Sequence, residues 1–236
     1  EREHWNVFGL KSQEVTIDLL TDSGTGSMSS EQWASLMRGD EAYAGSKSWQ
    51  RFEAVVRDLT GYKHIIPTHQ GRASERILAS ISVKQGDIIP SNSHFDTTRA
   101  NFEFAEAEPV DLLCEEGLSL LDPSEFKGNI DLEKLEELLK GKDAAKVPFV
   151  LMTITNNTGG GQPVSMENLK GVKELCKKYK KMFLLDACRF AENAWFVSQR
   201  EESYKGKNVR DIAKEAFRLA DGCSISLKKD GFGNIG

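Results

Sequence analysis

The sequence is short of several features that would settle a protein's class at once. It has no apolar run near the roughly 20 residues that a membrane-spanning helix needs, so no membrane partner is expected. Its opening, EREHWNVFGL, lacks the pattern of a secretory leader. An initiator methionine is also missing, and the closing GFGNIG has neither a polar tail nor a final helix, so the chain is expected to be a piece of something longer. There is no low-complexity tract and no evident repeat. The four cysteines (114, 176, 188 and 223) form no CxxC pair, and the four histidines complete no zinc pattern. The cysteines are expected to be reduced and mostly buried, as in a cytoplasmic protein. Excess positive charge is absent too: the net charge of -5 argues against a general nucleic-acid binder, though it leaves open a local anion site.

What is present suits a globular enzyme-sized unit. The 236 residues are 39% hydrophobic and 28% charged, enough for one large domain with a substantial core. Helical and apolar runs alternate. Residues 46–60 carry Trp49, Phe52, Val55, Val56 and Leu59 at helical spacing and close on Gly61. A short apolar run, 64–66, precedes Pro67, and 73–82 returns to a helical pattern. Further helices are expected at 131–140, 165–179 and 209–220, and buried strands at 147–155, 181–187 and 223–227. Strands alternating with helices predict an α/β fold with a largely parallel sheet, in which ligands bind beyond the carboxyl ends of the strands.

The residues at those ends are therefore the candidates. After 64–66 comes Gln70-Gly71-Arg72 at a helix entrance, where unpaired N–H groups, the helix dipole and a guanidinium suit a phosphate. After the apolar stretch 181–185 stand Asp186 and Arg189; a carboxylate there is costly to bury without a partner, which a protonated ring nitrogen or Arg189 itself could supply. After 223–227 come Lys228 and Lys229, preceded by Ser226; a desolvated lysine becomes a usable amine for imine formation. Asn157 lies in the loop after 147–155, ahead of three glycines. Each clue alone also fits plain structure, as a helix start, an ion pair, solvated lysines and a turn. Together they supply what pyridoxal 5'-phosphate requires: phosphate donors, an acid for the ring nitrogen and a lysine for the aldehyde.

Six segments in order, LLTDSGTGSMS (19–29), RGDEAYAGS (38–46), PTHQGR (67–72), GGQPVSMENLK (160–170), DACRFAENAWF (186–196) and SLKKD (226–230), resemble the tryptophanase and tyrosine phenol-lyase family of pyridoxal-phosphate-dependent β-eliminating lyases. The resemblance covers nearly the whole chain. It implies an aspartate-aminotransferase-like large domain at 46–236, incomplete here, an N-terminal arm with a substrate and cation segment at 1–45, and a C-terminal small domain beyond this sequence. It implies Lys229 as the imine-forming lysine and Asp186 as the partner of the ring nitrogen. Asn157 and Arg189 would meet the ring hydroxyl oxygen, Gln70, Gly71, Arg72 and Ser226 the phosphate, and Phe95 a ring face. Tyr43 would be the general acid towards the leaving group, reaching in from a neighbouring subunit of a homo-oligomer, a dimer of dimers. Thr21 and Ser23 would lie near the substrate carboxylate. Glu41, with backbone oxygens of Gly24 and Asn234, would hold potassium.

The resemblance further implies a role in the breakdown of an aromatic L-amino acid. Asp96 resembles the tryptophanase version, where a carboxylate can accept the indole N–H, and so does RFAENAWF (189–196). SMSSEQWASLM (27–37) resembles tyrosine phenol-lyase as much. L-tryptophan is the favoured substrate, and L-tyrosine stays open. So do another pyridoxal-phosphate reaction on the same scaffold and a chain that has lost catalysis.

Overall fold

A computed structural model describes residues 9–16, 28–40 and 42–233. Its centre is set by two apolar strands, β3 (Phe149–Thr153) and β4 (Met182–Asp186), which pair parallel in the register Phe149 with Met182 through Thr153 with Asp186. On one side β3 is joined by β1 (Ile88–Ser91), and β1 by β2 (Glu108–Asp111). On the other side β4 is joined by β5 (Gly222–Ser224). The sheet order is β2-β1-β3-β4-β5, with every neighbour parallel. Parallel neighbours need long crossovers, and helices supply them: α4 (Asp96–Phe104), α6 (Leu132–Lys140), α7 (Met166–Lys178), α8 (Phe190–Arg200) and α9 (Val209–Leu219). Before the sheet come α1 (Ser30–Met37), α2 (Lys47–Thr60) and α3 (Gly71–Ser82); the single-turn α5 is Glu115–Leu118.

Alternation along the central strands divides the core into two layers. Val150 and Met152 of β3, with Phe183 and Leu185 of β4, pack with Leu135, Leu169, Val172, Ile212 and Phe217 from α6, α7 and α9. Phe149, Leu151 and Leu184 face the other way and meet Ala79 of α3 and Phe102 of α4. The helices begin where the sequence offers a cap. Ser46, Ser165 and Asn208 each accept a backbone N–H of the first turn, and Asp131 accepts two. Gly61 ends α2 in the left-handed conformation, at φ 75°.

The α/β expectation holds, with differences in detail. The 64–66 run makes no ladder; it lines an apolar groove together with Ile225, and Ile66 is 80% exposed. The strand expected at 223–227 pairs only over 222–224, because the chain then turns towards Lys229. β1 and β2, each with a proline at its centre, were not predicted, nor were α4 and α8. The four cysteines are free, but only Cys176 is buried and the others are half-buried. No helix among the described residues is long and apolar enough to cross a membrane.

Candidate functional site

The strand order reverses between β1 and β3, and a crevice opens there at the carboxyl ends, as the geometry of such sheets requires. One cleft at these ends is lined from five directions. The start of α3 brings Gln70, Gly71, Arg72 and Glu75; the turn after β1 brings Phe95 and Thr97; the loop after β3 brings Thr155 and Asn157. The β4–α8 turn brings Asp186, Cys188 and Arg189, and the turn after β5 brings Ser226, Lys228 and Lys229.

At the α3 end no side chain caps the helix, so its first N–H groups point to the cleft's edge. Gly71 lies so near the far wall that an added Cβ would stand 2.8 Å from the Cβ of Ser226. That spacing demands glycine, at a place where backbone amides and the Ser226 side chain share one corner.

Asp186 is 4% exposed. Burial, reinforced by the nearby Glu75 carboxylate, pushes its acid up to about 6, against the opposing pull of Cys188, Lys229 and Arg189. Its Oδ1 accepts the Cys188 thiol at 3.1 Å, and the same sulfur accepts the Ser226 N–H at 3.3 Å. Cys188 thereby ties the acid to the lysine turn, and burial raises its own pKa well above the usual thiol value.

The Lys229 Nζ donates to Ser226 Oγ at 3.3 Å. The next residue fixes the turn: Asp230 Oδ2 accepts the N–H groups of Ala191 and Glu192, each at 2.8 Å, and so caps α8 from outside. In the loop after β3, Asn156 Oδ1 accepts the Gly159 N–H at 3.0 Å, and Gly160 and Gly161 take φ of 84° and 77°. The Thr155 hydroxyl, buried in the cleft wall, has no hydrogen-bond partner among the described residues.

The residues expected from the chain's pattern thus converge: Gln70, Gly71, Arg72, Asn157, Asp186, Arg189, Ser226 and Lys229 line one cleft, together with Phe95, which the resemblance alone implied. Asp96 does not line it. The residue is exposed at the start of α4, between two lining residues, and its carboxylate accepts the Thr97 N–H at 2.6 Å. Tyr43 is also outside this chain's cleft lining and fully exposed. It sits on a loop closed by Asp40, whose carboxylate accepts the N–H groups of Lys47 and Ser48 at 2.8 Å. Thr21, Ser23, Gly24, Glu41 and Asn234 lie outside the described residues. Among the described residues no cluster of His, Cys, Asp and Glu could hold a metal ion.

Sequence reasoning missed Glu75, Thr97 and the bridging thiol of Cys188. One signal for Glu75 was available: it lies three positions after Arg72 and four after Gly71, which puts it on their face of α3.

A model of the β-eliminating lyase family matches residues 18–236. The chain is 54% identical to a tryptophanase of Hyphomonas neptunium, over 100% of this chain and 52% of that protein. It is 48% identical to a tyrosine phenol-lyase of Pasteurella multocida, over 98% of this chain and 51% of that one. It therefore spans about half the length of the curated relatives it matches. In fold it is similar to the crystal structure of a putative aromatic amino acid β-eliminating lyase/threonine aldolase from Exiguobacterium sp. 255-15 (TM-score 0.59, 16% identity, 91% of this chain and 56% of that one). It is also similar to that of an archaeal alanine:glyoxylate aminotransferase (TM-score 0.53, 20% identity, 79% of this chain and 43% of that one).

Proposed function

Because this chain belongs to the β-eliminating lyase family, we propose that its cleft holds pyridoxal 5'-phosphate and that the whole protein removes the side chain of an aromatic L-amino acid by β-elimination. L-tryptophan, giving indole, pyruvate and ammonia, is the favoured substrate. The observation that carries the reading is the meeting of Lys229, Asp186 and the Gln70–Arg72 helix entrance in one cleft.

The residues present fit the cofactor. Asp186 is a buried acid with no cation in ion-pair contact among the described residues, and a ring N–H would relieve the cost of burying it. The uncapped start of α3, Arg72 and Ser226 form a corner for a phosphate, kept open by a glycine. When bound, this cofactor supplies an electron sink for the pair left at the substrate's α-carbon.

The chain's own groups do the rest. Asp186 holds a proton at the ring nitrogen. Lys229 Nζ would hold the cofactor at its aldehyde carbon and, as a free amine, would move the proton of the substrate's α-carbon. Asn157 and Arg189 orient the ring at its hydroxyl oxygen, and Phe95 packs against a ring face. Tyr43, fully exposed on this chain, serves the cleft of a neighbouring subunit by giving a proton to the leaving group, and the whole protein is a homo-oligomer, a dimer of dimers. Asp96 accepts the indole N–H. Thr21 and Ser23 meet the substrate carboxylate, and Glu41 with backbone oxygens of Gly24 and Asn234 holds potassium. The setting is cytoplasmic.

A tyrosine phenol-lyase is the second reading, favoured by the 48% identity to such an enzyme. The test is to incubate the whole protein, loaded with pyridoxal 5'-phosphate, with L-tryptophan and with L-tyrosine and to score released indole and phenol. Indole from tryptophan supports the first reading, and phenol alone moves the assignment to tyrosine. A Lys229→Ala protein that kept the visible absorbance of the lysine-bound cofactor would overturn the site.

A further inference from the structure

Glu75 is a buried carboxylate that the proposed chemistry leaves unused. It lies on α3 one turn beyond Arg72, is 8% exposed, and lines the same cleft as Asp186. Its Oε2 accepts the Thr97 hydroxyl at 2.7 Å, which fixes it from the α4 side. Thr97 is itself held, its N–H donating to Asp96 Oδ1 at 2.6 Å. Among the described residues neither Glu75 nor Asp186 makes an ion pair with a lysine, arginine or histidine. Two acids near one another in one cleft, each without its own cation, are costly unless a positive group or a shared proton comes between them.

We infer that Glu75 is a positioning residue acting through Asp186, and that the two carboxylates together keep the proton on the ring nitrogen of the cofactor. The inference rests on the proposal that the cleft holds pyridoxal 5'-phosphate. Its physical basis is the charge around the cleft. Arg72 on α3, Arg189 before α8, and Lys228 and Lys229 after β5 all line it. Those cations disfavour a positively charged ring, and Lys229 and Arg189 also pull the Asp186 proton affinity down. Glu75 acts in the opposite sense on Asp186. The thiols near Asp186, those of Cys188 and Cys223, are held in the neutral form by burial and so add no competing charge. A second negative charge near the first therefore offsets the cationic rim at the place where a proton must stay.

The experiment tracks the ring nitrogen directly. The whole protein is loaded with pyridoxal 5'-phosphate labelled with nitrogen-15 in the ring, and the nitrogen resonance is recorded as pH is raised, in wild type and in the Glu75→Gln, Glu75→Asp and Thr97→Val variants. Glu75→Gln should lose the ring proton earlier, by on the order of one pH unit. Glu75→Asp should recover part of that shift, and Thr97→Val should move in the same direction by less. A Glu75→Gln protein that binds the cofactor and titrates like wild type overturns the inference while leaving the cofactor reading intact. If Glu75→Gln does not fold, Thr97→Val decides, and an unshifted titration there overturns the inference equally. A wild-type protein that takes up no cofactor overturns the parent reading, and this one with it.

Discussion

Gly71 and Ser226, from opposite walls of the cleft, approach until no atom larger than hydrogen fits on the glycine: a Cβ there would meet the Ser226 Cβ at 2.8 Å and its Cα at 3.3 Å. The contact joins the first turn of α3 to the segment that carries Lys229. Gly71→Ala should force these two elements apart. The expected outcome is a stability loss of about 1–3 kcal/mol, with pyridoxal-phosphate affinity falling by about tenfold or more. Urea unfolding of the cofactor-free protein and a cofactor titration measure the two effects separately. Wild-type values in both would show that the corner is looser than its geometry states.

Asp186 gives a stability prediction with a definite sign. Its acid rises from 3.8 to about 6 on folding. Between those values the native state binds more protons than the unfolded chain, so stability falls as pH climbs through that window and the full cost is present above it. The cost is on the order of 3 kcal/mol. Cofactor-free Asp186→Asn should therefore be the more stable protein near neutral pH, with the advantage fading as pH falls towards the ordinary carboxylate range. Urea unfolding at both ends of the window checks this. A variant less stable than wild type near neutral pH would mean that the buried carboxylate is already compensated.

Asp230 holds the lysine turn against α8 through two backbone N–H groups. Asp230→Ala should cost about 1–2 kcal/mol and expose Lys229 to amine-modifying reagents, while Asp230→Asn should retain much of both. Thermal unfolding and the labelling rate of Lys229, measured by mass spectrometry, report the two consequences. An unchanged labelling rate in the alanine variant would show that the turn holds without its anchor.

Much of this arrangement could be read from the chain, for a physical reason. β3 and β4 are covered on both faces, so they appear as continuous apolar runs, and α7 announces itself by Leu169, Val172 and Cys176 at helical spacing. Lys229 and Asp186 stand out because a parallel sheet directs attention to the residues just past the carboxyl end of each strand, whereas Arg72 follows the 64–66 run, which forms no strand, and stands out as part of a helix entrance. β1 and β2 were hidden because Pro90 and Pro109 look like strand breakers. The 64–66 run misled in the opposite way: it is apolar, but a ladder needs a hydrogen-bonded neighbour, and none of the described strands pairs with it. Glu75 shares a face of α3 with Gly71 and Arg72, but its proximity to Asp186 depends on how α3 is turned against the sheet, which that spacing alone does not encode.

The cleft's walls are contributed by stretches scattered from residue 70 to residue 229: the start of α3 ahead of the sheet, the segments that follow β1, β3 and β4, and the turn after β5. Nothing resembling a weaker, partial version of it can exist in a shorter stretch of polypeptide. Capture of a small molecule there accordingly reports that these separate stretches have come together. By mass action the bound molecule returns its binding free energy to the entire layered assembly, so that the last loop to arrive is secured as firmly as the first.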